Sequence, residues 1–147
     1  MKFYILNGPN LNMLGIREPS LYGTENYDAL LRRLSLYEKE NGITLVCRQS
    51  NHEGDLVDYI QEAYFEGADG IVINPGAYTH TSIALLDALK ATGLPTVEVH
   101  VSDVTRREDF RQQSYVRLAA IASVIGHGTD GYFEAIALLR EHLAKNS

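Results

Sequence analysis

The chain has 147 residues, 45% of them hydrophobic, one cysteine, and a formal charge of −6 with a sequence pI near 5.3. A domain of that size buries roughly two-thirds of the surface its unfolded chain exposes, so it needs no staple, and a lone Cys47 excludes an intramolecular disulfide. The acidic balance argues against a nucleic-acid surface, no stretch approaches the ~18 apolar residues of a membrane span, and the amino terminus lacks a secretory signal pattern. The expectation is one domain over residues 1–147 in the reducing cytoplasm, with no nucleic-acid or membrane partner.

The apolar run Phe3-Tyr4-Ile5-Leu6 predicts a first strand, followed by "NGPNLNMLGIREPSLYG". Gly8, Pro9, Gly15, Pro19 and Gly23 keep that stretch from becoming a helix, and loops of such length in small domains tend to be lids or binding segments. A lid over about residues 10–24 is therefore expected. Tyr27, Leu30, Leu31, Leu34 and Tyr37 fall at helical spacing, with Asn41-Gly42 as the stop. "TLVCRQS" is the second strand, with Leu45 and Val46 making Cys47 a small buried residue rather than a reactive thiol. Leu56, Val57, Ile60, Ala63 and Tyr64 mark a second helix ending near Gly67, and "GIVIN" reads as a strand buried on both faces. Ile83 to Leu89 form a third helix, "TVEVH" and "AIASVIG" are further strands, and Phe133, Ile136, Ala137, Leu139 and Leu143 line a last helix. Five βα repeats with right-handed crossovers predict an α/β doubly wound five-stranded parallel sheet in the flavodoxin-like order 2-1-3-4-5.

In such a sheet ligands bind beyond the carboxyl ends of the strands, at the switch point between the first and third. The strands run out into Asn7 and Asn10, into Ser50, Asn51, His52 and Glu53, into Asn74, and into Glu98, His100 and Ser102. Turn chemistry explains any one of these clusters, but explains four together less well. His80 stands in "NPGAYTHTS" just before the third helix, where Thr79, Thr81 or Ser82 can cap it; His80 is either a ligand-facing group or a cap neighbour. Glu98 and His100 lie two residues apart on one strand face, as an acid or base with its orienting carboxylate, or as a structural ion pair. Tyr22, five residues after Arg17, is either an exposed loop residue or a phenolate base. Bringing a tyrosine from about 10 to about 8 takes on the order of 2.7 kcal/mol, a reasonable demand on a close arginine in a desolvated site. Arg106, Arg107 and Arg111 can supply a cationic pocket for a small acid. No G-x-S-x-G elbow and no Cys/His spacing for zinc is present, and the G-x-G of "GHGTDG" follows the last strand, where a turn fits better than a dinucleotide site.

The blocks "ILNGPNLNMLGIREPSLYG", "QSNHEGDLVDYIQEA", "INPGAYTHTSIALLDAL", "VEVHVSD" and "REDFRQQSYV" resemble, in order and over nearly the whole chain, the type II 3-dehydroquinate dehydratases, or type II dehydroquinases, of the shikimate or quinate pathway. The resemblance implies a flavodoxin-like subunit, a homododecamer built as a tetramer of trimers, and a hydro-lyase that removes water from 3-dehydroquinate without cofactor or metal. It implies Tyr22 as the base at C2, Arg17 as the lid residue favouring its phenolate, and Asn10 as a stabiliser of the enolate through water. His100 supported by Glu98 would protonate the departing C1 hydroxyl. Asn74, His80, the backbone of Val101 with Ser102, and Arg111 match substrate-binding positions, and Asp87 matches one that reaches into a neighbouring subunit's site. The sequence departs from the family pattern at Asp103, Thr105 and Leu86, where the family commonly has asparagine, histidine and arginine. The rival readings are a non-catalytic flavodoxin-like binding protein and an inactive paralogue. A receiver domain would need aspartates, and a flavin carrier a hydroxyl-rich loop, where this chain has "NGPNLN".

Overall fold

A computed structural model describes residues 1–16 and 25–147. Five strands, β1 (Lys2–Asn7), β2 (Thr44–Gln49), β3 (Gly70–Asn74), β4 (Thr96–His100) and β5 (Ala122–Ile125), form one parallel sheet in the order β2-β1-β3-β4-β5. Because successive side chains of a strand point to opposite faces, β1 serves two cores. Phe3 and Ile5, with Val72, Val97 and Val99, meet Leu30 and Leu34 of α1 (Tyr27–Asn41) and Ile136 and Leu139 of α4 (Asp130–Lys145). Tyr4 and Leu6, with Ile71 and Ile73, meet Leu56 and Ile60 of α2 (Glu53–Phe65) and Leu85 and Leu89 of α3 (Ile83–Thr92). Helices on both faces explain why "GIVIN" shows no polar alternation, since all five of its residues are buried.

The predicted elements and strand order hold, with one difference between β4 and β5. Four α-helices are present among the described residues, and the fourth crossover consists instead of short 3₁₀ turns at Val104–Arg106, Asp109–Arg111 and Val116–Ala119. The charged stretch there has no apolar stripe at helical spacing to lay on the sheet; Val116 joins the second core, with Val104 also buried. On α2 the buried positions are Leu56, Ile60 and Ala63, which leaves Tyr64 exposed and edge-on to Phe65, with ring centroids 5.3 Å apart. Ala137 of α4 is exposed for the same reason: Ala135, Ile136 and Leu139 fill the face toward the sheet. Cys47 is partly buried against the first core, and burial pushes its thiol up to about 11, so it is not a nucleophile at neutral pH. No helix among the described residues is long and apolar enough to cross a membrane.

The register sets the strand ends side by side: Asn7 of β1 pairs with Gln49 of β2 and with Asn74 of β3. The chain leaves β1 and β3 through Gly8-Pro9 and Pro75-Gly76, and these two exits pack directly on each other. The Gly8 amide donates to the Asn74 carbonyl at 2.8 Å, and a Cβ on Gly8 would lie 2.5 Å from the Pro75 carbonyl oxygen. Only glycine fits that approach.

Candidate active site

A cleft of about 120 Å³ opens at the carboxyl ends of β1, β3 and β4. Pro9, Asn10 and Leu11 line it from the β1 exit, Asn74 and His80 from the β3 exit, and His100, Val101 and Ser102 from the β4 exit. Arg107 and Arg111 close it from the following segment, while Arg106 is exposed and pairs with Asp103 at 3.6 Å. The cleft therefore lies at the switch point of the sheet.

Its floor is a buried polar chain. The Tyr132 hydroxyl, carried by α4, donates to Asn7 Oδ1 at 2.5 Å and accepts from Asn74 Nδ2 at 3.0 Å, while Asn74 Oδ1 accepts from the Gly76 amide at 3.2 Å. With its carbonyl oxygen and one amide proton engaged, Asn74 is fixed in one flip state and keeps one N–H for a ligand. Burial pushes the Tyr132 phenol far above its ordinary value, so it stays a neutral link.

Asn10 has φ 71°, the left-handed region that asparagine tolerates best among side-chain-bearing residues, and its amide donates to Asn51 Oδ1 at 3.0 Å. Asn51 is thus a buttress for Asn10. Ser50 donates to the Asp55 carboxylate at 2.7 Å and accepts from the His52 amide at 3.0 Å, so its hydroxyl is engaged within the turn from β2 into α2, and neither Ser50 nor His52 lines the cleft. Ser82 caps α3 by accepting from the Leu85 amide at 3.0 Å. His80 Nδ1 lies 2.7 Å from the Gln113 carbonyl, which fixes Nδ1 as the donor and leaves Nε2 to accept from a ligand. Burial, outweighing that hydrogen bond, and the nearby charges of His100 and Arg111 lower the His80 pKa, which favours this neutral tautomer.

Glu98 is fully buried behind His100 and receives five side chains. His100 Nε2 lies 2.8 Å from Oε2, and the Thr79 and Ser114 hydroxyls each lie 2.6 Å from the same oxygen. Arg117 Nε donates to Oε1 at 3.2 Å and the Ser123 hydroxyl at 3.1 Å. Burial by itself would push the carboxyl up, but the hydrogen bonds and charge of His100, with the two hydroxyls on Oε2, overcome it and hold Glu98 well below the usual carboxylate range. An ionised Glu98 that accepts Nε2–H leaves His100 Nδ1 as the nitrogen available to the cleft. Such a pair has the chemistry for general acid or base work, with the imidazole oriented from behind.

The comparisons with known proteins agree with this geometry. The family model described as dehydroquinase class II matches residues 1–140. The chain belongs to that family. A 3-dehydroquinate dehydratase of Rhodopseudomonas palustris strain BisA53 is 55% identical over 140 residues, covering 95% of this chain and 93% of its own. One from Clostridium perfringens strain 13 is 48% identical, with 97% and 98% covered. A type II dehydroquinase from Butyrivibrio crossotus superposes with a TM-score of 0.94 at 50% identity, covering 95% of this chain and 97% of that one.

Of the residues expected from the class II dehydroquinase resemblance, Asn10, Asn74, His80, His100, Val101, Ser102 and Arg111 line one cleft, with Glu98 behind them. Arg17 and Tyr22 lie outside the described residues. Asp87 is exposed on α3 and is not among the residues lining this chain's own cleft. The departures fall off the cleft: Asp103 Oδ1 caps the turn at Val104 by accepting from the Thr105 amide at 3.0 Å and from its hydroxyl, and Leu86 is buried on α3. Ser114, Arg117 and Ser123 were not anticipated as partners of Glu98. They come from two elements remote in sequence, and no periodicity marks a hydroxyl that will meet a carboxylate across a sheet.

Proposed function

We propose that this chain dehydrates 3-dehydroquinate to 3-dehydroshikimate, by anti elimination through an enolate, as a step of the shikimate or quinate pathway. The observation that carries the reading is the Glu98–His100 pair, with Glu98 buried and His100 lining a cleft together with Asn10, Asn74, His80 and Arg111, in a chain of the class II dehydroquinase family.

In this reading Tyr22, as a phenolate favoured by Arg17, takes a proton from C2, and the C–H electron pair forms the enolate, with charge on the C3 oxygen and Asn10 stabilising it through water. The C3 carbonyl then re-forms, C1 and C2 become doubly bonded, and the C1–O bond breaks with its electrons on oxygen. His100 gives its proton to that oxygen, and water leaves. Asn74, His80, Arg111 and the Val101-Ser102 segment hold the substrate. Neutral His80 offers an acceptor to a hydroxyl, and the Arg111 guanidinium, anchored by Glu108 at 2.7 Å, offers its remaining donors to a carboxylate. A lid that brings Arg17 and Tyr22 over bound substrate would keep water from the enolate and strengthen every charge interaction within.

The placement of the four lysines supports the enolate route over a Schiff base. Lys2 donates to the Glu66 carbonyl at 3.2 Å at the opposite end of β1, and Lys39, Lys90 and Lys145 lie on helices. A Schiff-base lysine needs a desolvated position beside the substrate. We further propose a homododecamer in the cytoplasm, with Asp87 completing a neighbour's pocket. The decisive experiment is incubation of purified protein with 3-dehydroquinate, following the enone absorbance of the product. Its appearance is expected, and an unchanging spectrum would overturn the reading.

A further inference from the structure

A fully buried carboxylate must keep a counter-charge, because an isolated ion in that position is strongly disfavoured. Glu98 has two cations beside it, and they differ in kind. His100 on Oε2 changes charge when it acts as an acid, whereas Arg117 on Oε1 is charged at every working pH. Arg117 is also held to this network twice: its side-chain Nε donates to Glu98, and its backbone N–H donates at 3.1 Å to the Ser114 hydroxyl, itself a partner of Glu98.

We propose that Arg117 is a positioning residue for proton transfer from His100: its guanidinium anchors Oε1 of Glu98 and supplies the positive charge that remains beside the buried carboxylate once the imidazole has given its proton away. The inference rests on the acid role of His100 in the elimination. Before transfer the trio of Arg117, Glu98 and protonated His100 carries one net positive charge, and afterwards it is neutral. Without Arg117 the same step would begin neutral and end with an uncompensated buried carboxylate. The imidazole would then hold its proton more tightly and be a poorer acid. Among the described residues, the other titratable and charged groups facing this pair are His80 from the β3 exit, and Arg107 and Arg111 from the segment after β4. They are unaltered in the variants below, so a change reports on the Glu98 side.

The test is titration of the His100 ring by NMR in the full-length protein, its resonance assigned by loss in His100→Ala, together with steady-state kinetics on 3-dehydroquinate. In Arg117→Gln the His100 midpoint should rise by about half a pH unit or more. Turnover should fall about tenfold, with KM within about twofold of wild type. Arg117→Lys, which keeps the charge, should return the midpoint most of the way. An unmoved midpoint in Arg117→Gln overturns the proposal, as does a lysine variant that titrates like the glutamine one. If Arg117→Gln does not fold, the double variant Glu98→Gln/Arg117→Gln decides: recovered folding supports the charge pairing, and continued unfolding overturns it. The titration needs no substrate, so a chain inactive on 3-dehydroquinate would refute the reaction while the midpoint still decides on Arg117.

Discussion

His100 and Tyr22 divide the two proposed proton transfers between an acid and a base, and their variants should fail differently. Tyr22→Phe removes the base, so turnover should drop by at least ~100-fold with fold and assembly unchanged; near-normal rates would end that assignment. His100→Ala should lower kcat far more than it raises KM, because the acid is needed only as the hydroxyl departs. A pure KM effect would make His100 a binding residue. Glu98 adds a stability signature. Its folded pKa is depressed despite burial, by His100 and the hydroxyls on Oε2, so its contribution is complete above the ordinary glutamate pKa and is lost as pH falls below it toward the folded value. Urea midpoints of the wild type should therefore decline below about pH 4.5 more steeply than those of Glu98→Gln. Parallel acid limbs for the two proteins would show that the buried carboxylate contributes nothing through its protonation.

At the scale of elements, the site depends on how closely the exits of β1 and β3 pass. Gly8→Ala would place a methyl carbon 2.5 Å from the Pro75 carbonyl oxygen, so one exit must move and the hydrogen bond from the Gly8 amide to the Asn74 carbonyl is disturbed. We expect a loss of about 1–3 kcal/mol in urea or thermal unfolding. Activity should fall with it, since Asn10 and Asn74 hang on those two exits. Gly54→Ala is the contrasting case: it lies in the first turn of α2 with nothing within 4 Å of the added methyl, and should gain about 0.5 kcal/mol by helix propensity. If Gly8→Ala proves as stable as wild type, the close approach of the two exits is not a constraint on the fold.

For the whole molecule, the question is whether one subunit is sufficient. Asp87 is exposed on α3, and large apolar side chains nearby in the fold are exposed as well: Ile83 on the same helix, and Leu118 and Ile121 on the segment packed beside it. That combination suits a surface covered by another copy, in keeping with the proposed assembly. Sedimentation should show an oligomer, and Leu118→Glu should yield smaller folded species with reduced activity. Fully active monomers would refute a pocket shared through Asp87.

Much of this protein was determined by local sequence. The all-apolar "GIVIN" could bury on both faces only in a doubly covered sheet. Even the pairing of Glu98 with His100 followed from period-two geometry, because residues two apart on a strand share a face. Tertiary structure decided what local pattern does not encode. Ser50 and His52 had the polar character of site residues, yet the Ser50 hydroxyl is engaged by Asp55 and the His52 amide in the turn into α2, and neither residue lines the cleft. Arg117 and Ser123 carried no sign of a role, and long-range packing brings them to Oε1 of Glu98. The physical reason is range: period and turn chemistry act over a few residues, whereas a buried carboxylate gathers its partners from whichever elements the sheet order places around it.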